Sequence, residues 1–381
     1  MKGTALAILL LISILPLVGA QVNWSWTYSD QCIVFGMALN EKGYIGLAFG
    51  YYAELLGPDG KLIFKEPTRG IAYTVGVSGN NDVVIGTEGD WLQYFDANGS
   101  LGWEYKAAGA VVSVDISKDG ETVVAGDSSG YIYLFRNGKL IWRKKVGGYV
   151  WSVDLFGDRI AAGVDYSVVV LDLSGGVVVS REYRGYVRKV IASDDGIYVL
   201  IAAKGGSWGE VRKISWSGKE LWSRHFNNLI RSIDSDGKNV AVGGDIGYLV
   251  LLSSNGSTVY KVPFLVSTLQ VSTARGYLLA GGAREAIFVA PNGSVLWNER
   301  FNWSVRNVAI SRDASFLVVG YGYHSIENCQ EKINVLRLRG TVTPTRAATR
   351  PSFHLPGLPL LVVVTAGLVI VGFFLMKELR E

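Results

Sequence analysis

Between positions 22 and 339, apolar and polar residues alternate in short runs with a period of two, broken by glycine-containing turns. That is the pattern of strands with one buried face, joined by hairpins. The clearest stretch, Val111 to Val146 (VVSVDISKDGETVVAGDSSGYIYLFRNGKLIWRKKV), reads as four strands with turns at Lys118-Asp119-Gly120, Asp127 to Gly130 and Asn137-Gly138. The same plan returns from Val150 (VWSVDLFGDRIAAGVDYSVVVLDLSGGVVVSREY) and from Leu229 (LIRSIDSDGKNVAVGGDIGYLVLLSSNGSTVYKV).

One position in the fourth strand serves as a ruler: Phe64, Trp103, Trp142, Val179, Trp222, Tyr260 and Trp297, at steps of 37 to 43 residues. First strands are expected to begin near Ile33, Ala72, Val111, Val150, Val187, Leu229, Val266 and Ser304. Eight first strands against seven fourth strands leave one fourth strand missing. The segment Val22 to Tyr28, some 40 residues before Phe64, supplies it. A four-stranded repeat near 40 residues is what propeller blades require, whereas solenoid repeats are shorter. The chain is therefore expected to be all-β, an eight-bladed β-propeller over 21–339 whose last blade is closed by the N-terminal strand. A seven-bladed ring is the alternative.

The ends read differently. Residues 1–20 carry Lys2, the apolar run Leu6 to Leu15 and a small-residue end, Val18-Gly19-Ala20, the features of an export signal. Leu358 to Met376 is apolar and free of charge, long enough for a transmembrane helix, and the tail 377–381 carries Lys377 and Arg380. Residues 340–357, with four threonines and three prolines, read as an extended stalk. The expected arrangement is a single-pass cell-membrane protein with its propeller on the extracytoplasmic side.

Composition narrows the partners. A formal net charge of +4 on 381 residues gives no footprint for nucleic acid. Charge is uneven, however: 41–130 is acidic and 131–231 basic, which would suit an anionic surface polymer. The two cysteines, Cys32 and Cys329, fall in neighbouring blades of an exported chain, and a disulfide is the economical reading. Five sequons begin at Asn23, Asn98, Asn255, Asn292 and Asn302; at Asn98, Asn255 and Asn292 the Asn-Gly pair also suits a hairpin turn.

The segment SVDISKDGETVVAGDSSGYIYLF resembles a WD40 repeat, and NGKLIW, SGKELW and NGSVLW resemble the fourth-strand motif of quinoprotein (PQQ)-like propellers. This resemblance covers 22–339 and implies the fold; it says little of function. Kinship with quinoprotein dehydrogenases would imply a quinone held between a tryptophan and an adjacent-cysteine disulfide, with calcium and a catalytic aspartate. Cys32 and Cys329 are not adjacent, and no matching acidic cluster is found. His225, His324 and His354 are scattered, and neither a nucleophile elbow nor a phosphate loop occurs. No cofactor is expected, and the chain reads as a non-enzymatic cell-surface binding or scaffolding protein for a protein or envelope glycan. The alternatives are an exported PQQ-dependent oxidoreductase and an envelope-assembly scaffold.

Aligned repeats place Tyr73, Val112, Trp151, Arg188, Arg231, Ser267 and Arg306 at the start of the first strands, at the channel mouth. Of these, Tyr73, Trp151, Arg188, Arg231 and Arg306 are the candidate ligand-binding residues: guanidinium groups clamp anions, and aromatic faces stack on sugar rings. Further along the strand, Asp115, Asp154 and Asp234 occupy equivalent positions. They are either structural partners or a weak candidate cation site beside the channel.

Overall fold

The computed structural model describes residues 25–30, 33–324 and 329–337. Among them are eight four-stranded antiparallel sheets, arranged as eight blades in chain order. Blades 1 to 7 cover 34–67, 72–106, 111–145, 150–182, 186–226, 230–263 and 268–300. Blade 8 takes three strands from 304–337 and its outer strand, Trp26–Asp30, from the beginning of the chain. That strand pairs antiparallel with Cys329–Arg337, in a register that sets Trp26 opposite Val335 and Asp30 opposite Glu331. The eight-bladed ring and its closure are thus as the repeat arithmetic expects, with the closing strand a few residues later.

The export signal, stalk, membrane span and tail lie outside the described residues, as do Asn23 and Cys32, so the expected Cys32–Cys329 bond does too. Among the described residues no helix is long and apolar enough to cross a membrane.

Each blade buries both faces against its neighbours. Eight apolar clusters result, one at every joint, including the joint of blades 8 and 1, where Val34, Ile45 and Phe49 meet Phe316, Val318 and Ile333. The ruler residues explain their own spacing. Trp222 of blade 5 lies under the hairpin turn of blade 6, its indole N–H donating to the Ser254 carbonyl at 2.8 Å. Trp142 of blade 3 does the same to Leu173 of blade 4 at 2.9 Å. The turn must bring its backbone onto the ring. Gly256, at φ 83°, would place a Cβ 2.8 Å from the Trp222 indole. The glycine in NGKLIW-like motifs is therefore required twice, by its left-handed backbone and by its neighbour's tryptophan.

Trp222→Ala is expected to cost about 3 kcal/mol, through lost burial and the loss of one of two donors to the Ser254 carbonyl, the other being Lys213 Nζ at 3.3 Å. Gly256→Val should be destabilising in the same direction. Urea unfolding of both variants checks this; a midpoint unchanged by Trp222→Ala would remove the docking account of the repeat.

Candidate functional site

In all eight blades the ladder between first and second strands slips near the start of the first strand. The residue left out of pairing is Phe35, Tyr73, Val112, Trp151, Arg188, Arg231, Leu269 or Arg306, one per blade. A β-bulge re-aims the side chain of its extra residue. Eight equivalent bulges therefore present a ring of eight side chains at the mouth of the channel. Five of them (Phe35, Tyr73, Val112, Leu269 and Arg306) line one cavity of about 390 Å³.

Six of the seven aligned mouth positions fall on this ring. Ser267 does not; Leu269 takes its place, because the first strand of blade 7 begins at Thr268. Phe35 in blade 1 was not anticipated. The register signal for blade 7 lies in Gly281-Gly282, which repeats Gly243-Gly244. Thr268 pairs with Gly282 as Ile230 pairs with Gly244, the same fourteen-residue separation (282 − 268 = 244 − 230).

The ring residues differ in what they have free. Phe35 and Tyr73 are stacked at 6.0 Å and remain 41% and 46% exposed, so they offer an open aromatic surface. Trp151 is already in use, with Tyr149 at 4.2 Å and the Arg188 guanidinium 4.0 Å from its ring centre. Arg188 also lies 5.1 Å from the Tyr186 ring. These contacts hold the guanidinium in place without neutralising it. Arg231 is neutralised: its Nε and one terminal nitrogen donate to the two oxygens of Asp245, at 2.9 and 2.8 Å. That fork holds the Asp245 carboxyl below the usual range, helped by the hydroxyl of Ser267. Among the described residues neither Arg188 nor Arg306 has a carboxylate partner. Two guanidinium groups at the mouth thus have unmatched charge.

The three aspartates have a different task. A first strand pairs with its own blade along one edge only, and amides on the other edge need acceptors from elsewhere. The preceding blade provides them. Asp115 accepts from the Leu155 amide at 2.8 Å, Asp154 from Ala192 at 2.7 Å and Asp234 from Thr273 at 2.8 Å. Two residues earlier, Ser113 and Ser232 accept from Val153 and Val271 in the same way. Gln270 and Ser272 carry the pattern from blade 7 to blade 8.

Burial beside the narrow channel pushes the Asp154 carboxyl well above its ordinary range, and the adjoining Asp115 adds to the effect. Desolvation also raises Asp115 and Asp234, while the Lys189 ammonium pulls Asp234 back down. Lys189 is thus a resident cation among these carboxyls. Among the described residues no group of three or more His, Cys, Asp or Glu is placed to hold a metal.

Asn98, Asn255, Asn292 and Asn302 are all exposed. Asn255 and Asn292 also serve their turns: each side-chain oxygen accepts the amide of the serine two residues on, at 3.0 Å.

No protein-family model and no curated protein sequence matches the chain. Solved structures do resemble it. The computationally designed protein Ika8 superposes with a TM-score of 0.69 at 14% identity, over 81% of this chain and 98% of that one. Sqt1 of Saccharomyces cerevisiae gives 0.68 at 11%, over 84% and 100%. BamB from Moraxella catarrhalis gives 0.59 at 14%, over 81% and 98%. At such identities the likeness speaks for the fold alone: a β-propeller, here of eight blades. It supports the architecture implied by the repeat motifs and favours neither repeat family over the other.

A carboxyl whose pKa is raised on folding contributes stability while protonated, and that contribution is lost as pH rises through the raised value. Asp154→Asn keeps an acceptor for the Ala192 amide and removes the titration. The variant should therefore match the wild type near pH 4, about the ordinary aspartate value, and exceed it in stability at pH 7. Thermal unfolding at both pH values checks this; an equal loss at both would mean that the raised carboxyl is not a liability.

Proposed function

We propose that the protein is a non-enzymatic binding or scaffolding protein of the cell surface, which docks an anionic group of a surface protein or envelope glycan at its channel mouth. The export signal and the apolar segment 358–376 support that location, with the propeller held outside the membrane by the stalk. The observation that carries the reading is the bulge ring. It leaves Arg188 and Arg306 with unmatched charge, and sets Arg306 in one cavity with the exposed aromatics Phe35 and Tyr73. The Arg188 guanidinium, held in advance on the Trp151 and Tyr186 rings, loses little on binding an anion, while the aromatic arc offers apolar area to whatever carries it. The basic outer strand of blade 3, Lys139–Lys145, would add longer-range attraction.

Capture of the purified full-length protein on an immobilised envelope fraction tests this. Replacing both Arg188 and Arg306 by Gln should weaken capture at least about tenfold, since charged hydrogen bonds contribute more than neutral ones, with stability lowered by no more than about 1 kcal/mol for the lost Arg188 ring contacts. Arg231→Gln should do the reverse, lowering stability modestly and sparing capture. Undiminished capture by the double variant would overturn the reading.

A further inference from the structure

A second cavity, of about 480 Å³, opens between blades 4 and 5, away from the channel residues. Its walls include Arg181, Tyr183, Trp208, Glu210, Arg212 and His225. Tyr183 follows the outer strand of blade 4, Trp208 precedes the third strand of blade 5, and Arg212 and His225 lie on the two outer strands of blade 5. The polar side chains are fixed by one another. Arg212 forks onto Glu210 at 2.9 and 2.7 Å and reaches Glu220 at 2.7 Å. Arg181 meets the same Glu220 oxygen at 2.9 Å and the Gly218 carbonyl at 2.9 Å. Each guanidinium also lies near the Tyr183 ring, at 5.6 and 5.4 Å. Trp208 packs beside the His225 ring at 5.8 Å.

Within this fixed network one group is left over. The Tyr183 hydroxyl is buried, and among the described residues no group hydrogen-bonds to it. Its burial raises its pKa, so it stays a neutral donor. An unmet buried hydroxyl carries a desolvation penalty that a ligand with a matching acceptor removes. The surrounding charge says what kind of ligand. Three arginines (Arg181, Arg184 and Arg212) and two glutamates (Glu182 and Glu210) line the cavity, and Glu220 beside it takes up Arg181 and Arg212, so the cavity carries little surplus charge for an anion. It offers closely spaced donors and acceptors beside an indole, the combination that recognises a ring carrying several neutral hydroxyls.

We propose that this cavity is a saccharide subsite, binding an uncharged pyranose against Trp208, with one ring hydroxyl accepting from the Tyr183 phenol and others bonding Glu210, Arg212 and His225. The site is separate from the channel mouth. It lies close to a row of rings leading inward: the Tyr183 amide donates to the Tyr166 carbonyl, Tyr166 stacks on Tyr186 at 4.5 Å, and Tyr186 meets Trp151 edge-on at 6.2 Å. Tyr166 and Tyr186 would accommodate neighbouring units of an oligosaccharide.

Saturation-transfer NMR on the full-length protein, with the methyl glycosides of glucose, galactose, mannose and N-acetylglucosamine and with glucuronate as the charged comparison, tests this. At least one neutral glycoside should receive saturation and outcompete glucuronate. Tyr183→Phe keeps the ring and removes the orphan hydroxyl. It should lower affinity for that glycoside about 3- to 10-fold, the worth of one hydrogen bond, and leave the protein as stable as before or more so. The double Gln variant at Arg188 and Arg306 should bind the glycoside normally, so failure at the mouth and failure here are separable. Absence of saturation transfer from every neutral glycoside, or a Tyr183→Phe variant that binds as tightly and unfolds more readily, would overturn the proposal.

Discussion

The antiparallel ladder between Trp26–Asp30 and Cys329–Arg337 turns a row of eight sheets into a closed ring. Every blade relies on two neighbours to cover its faces, and without closure the first and last would each expose one. With the N-terminal strand in blade 8, opening the ring means breaking a sheet as well as parting Val34, Ile45 and Phe49 from Phe316, Val318 and Ile333. The Asn307 side-chain amide reinforces the same joint by donating to the Val34 carbonyl at 3.0 Å.

Closure also fixes what happens in the middle. Eight first strands crowd around one channel, each with an edge that its own blade does not pair. Side chains of the preceding blade occupy those edges at four joints, from blades 3, 4, 6 and 7. Blade 5 departs from the pattern with Lys189 and Ile191, and the Lys189 ammonium compensates carboxyls on either side of it. At the mouth the strands stop pairing regularly, and the eight bulges release one side chain each. Structural aspartates and the bulge ring thus lie on the same strands, three residues apart in blades 3, 4 and 6.

The architecture was legible in the sequence to an unusual depth, because its largest signal is a docked residue rather than a strand propensity. Trp103, Trp142 and Trp222 recur at a fixed spacing because each must meet the turn of the following blade. The missing fourth strand followed from counting. The bulges are harder to read: each blade packs on neighbours at both faces, so no solvent-facing polar set marks the change of phase at a one-residue slip, and the register signal is confined to repeats such as Gly243-Gly244 and Gly281-Gly282. Repeat alignment thus sets Ser267 on a ring it does not join, where Leu269 stands, and leaves Phe35 unmarked. Whether an arginine is free depends on a residue distant in sequence, as the pairing of Arg231 with Asp245, just past the next strand, shows. The aspartates' acceptor role depends on amides some 40 residues away, and the cavity at Tyr183 on strands of two blades. Neither is written in a local pattern.

The claim that the channel mouth is the docking face is tested most directly by arginine-selective dicarbonyl footprinting of the protein, alone and bound to envelope. Arg188 and Arg306 should be modified in the free protein and protected in the bound one, while exposed Arg224, outside the mouth and outside the second cavity, reacts alike in both. Protection that spares Arg188 and Arg306 and falls elsewhere on the ring would contradict the account.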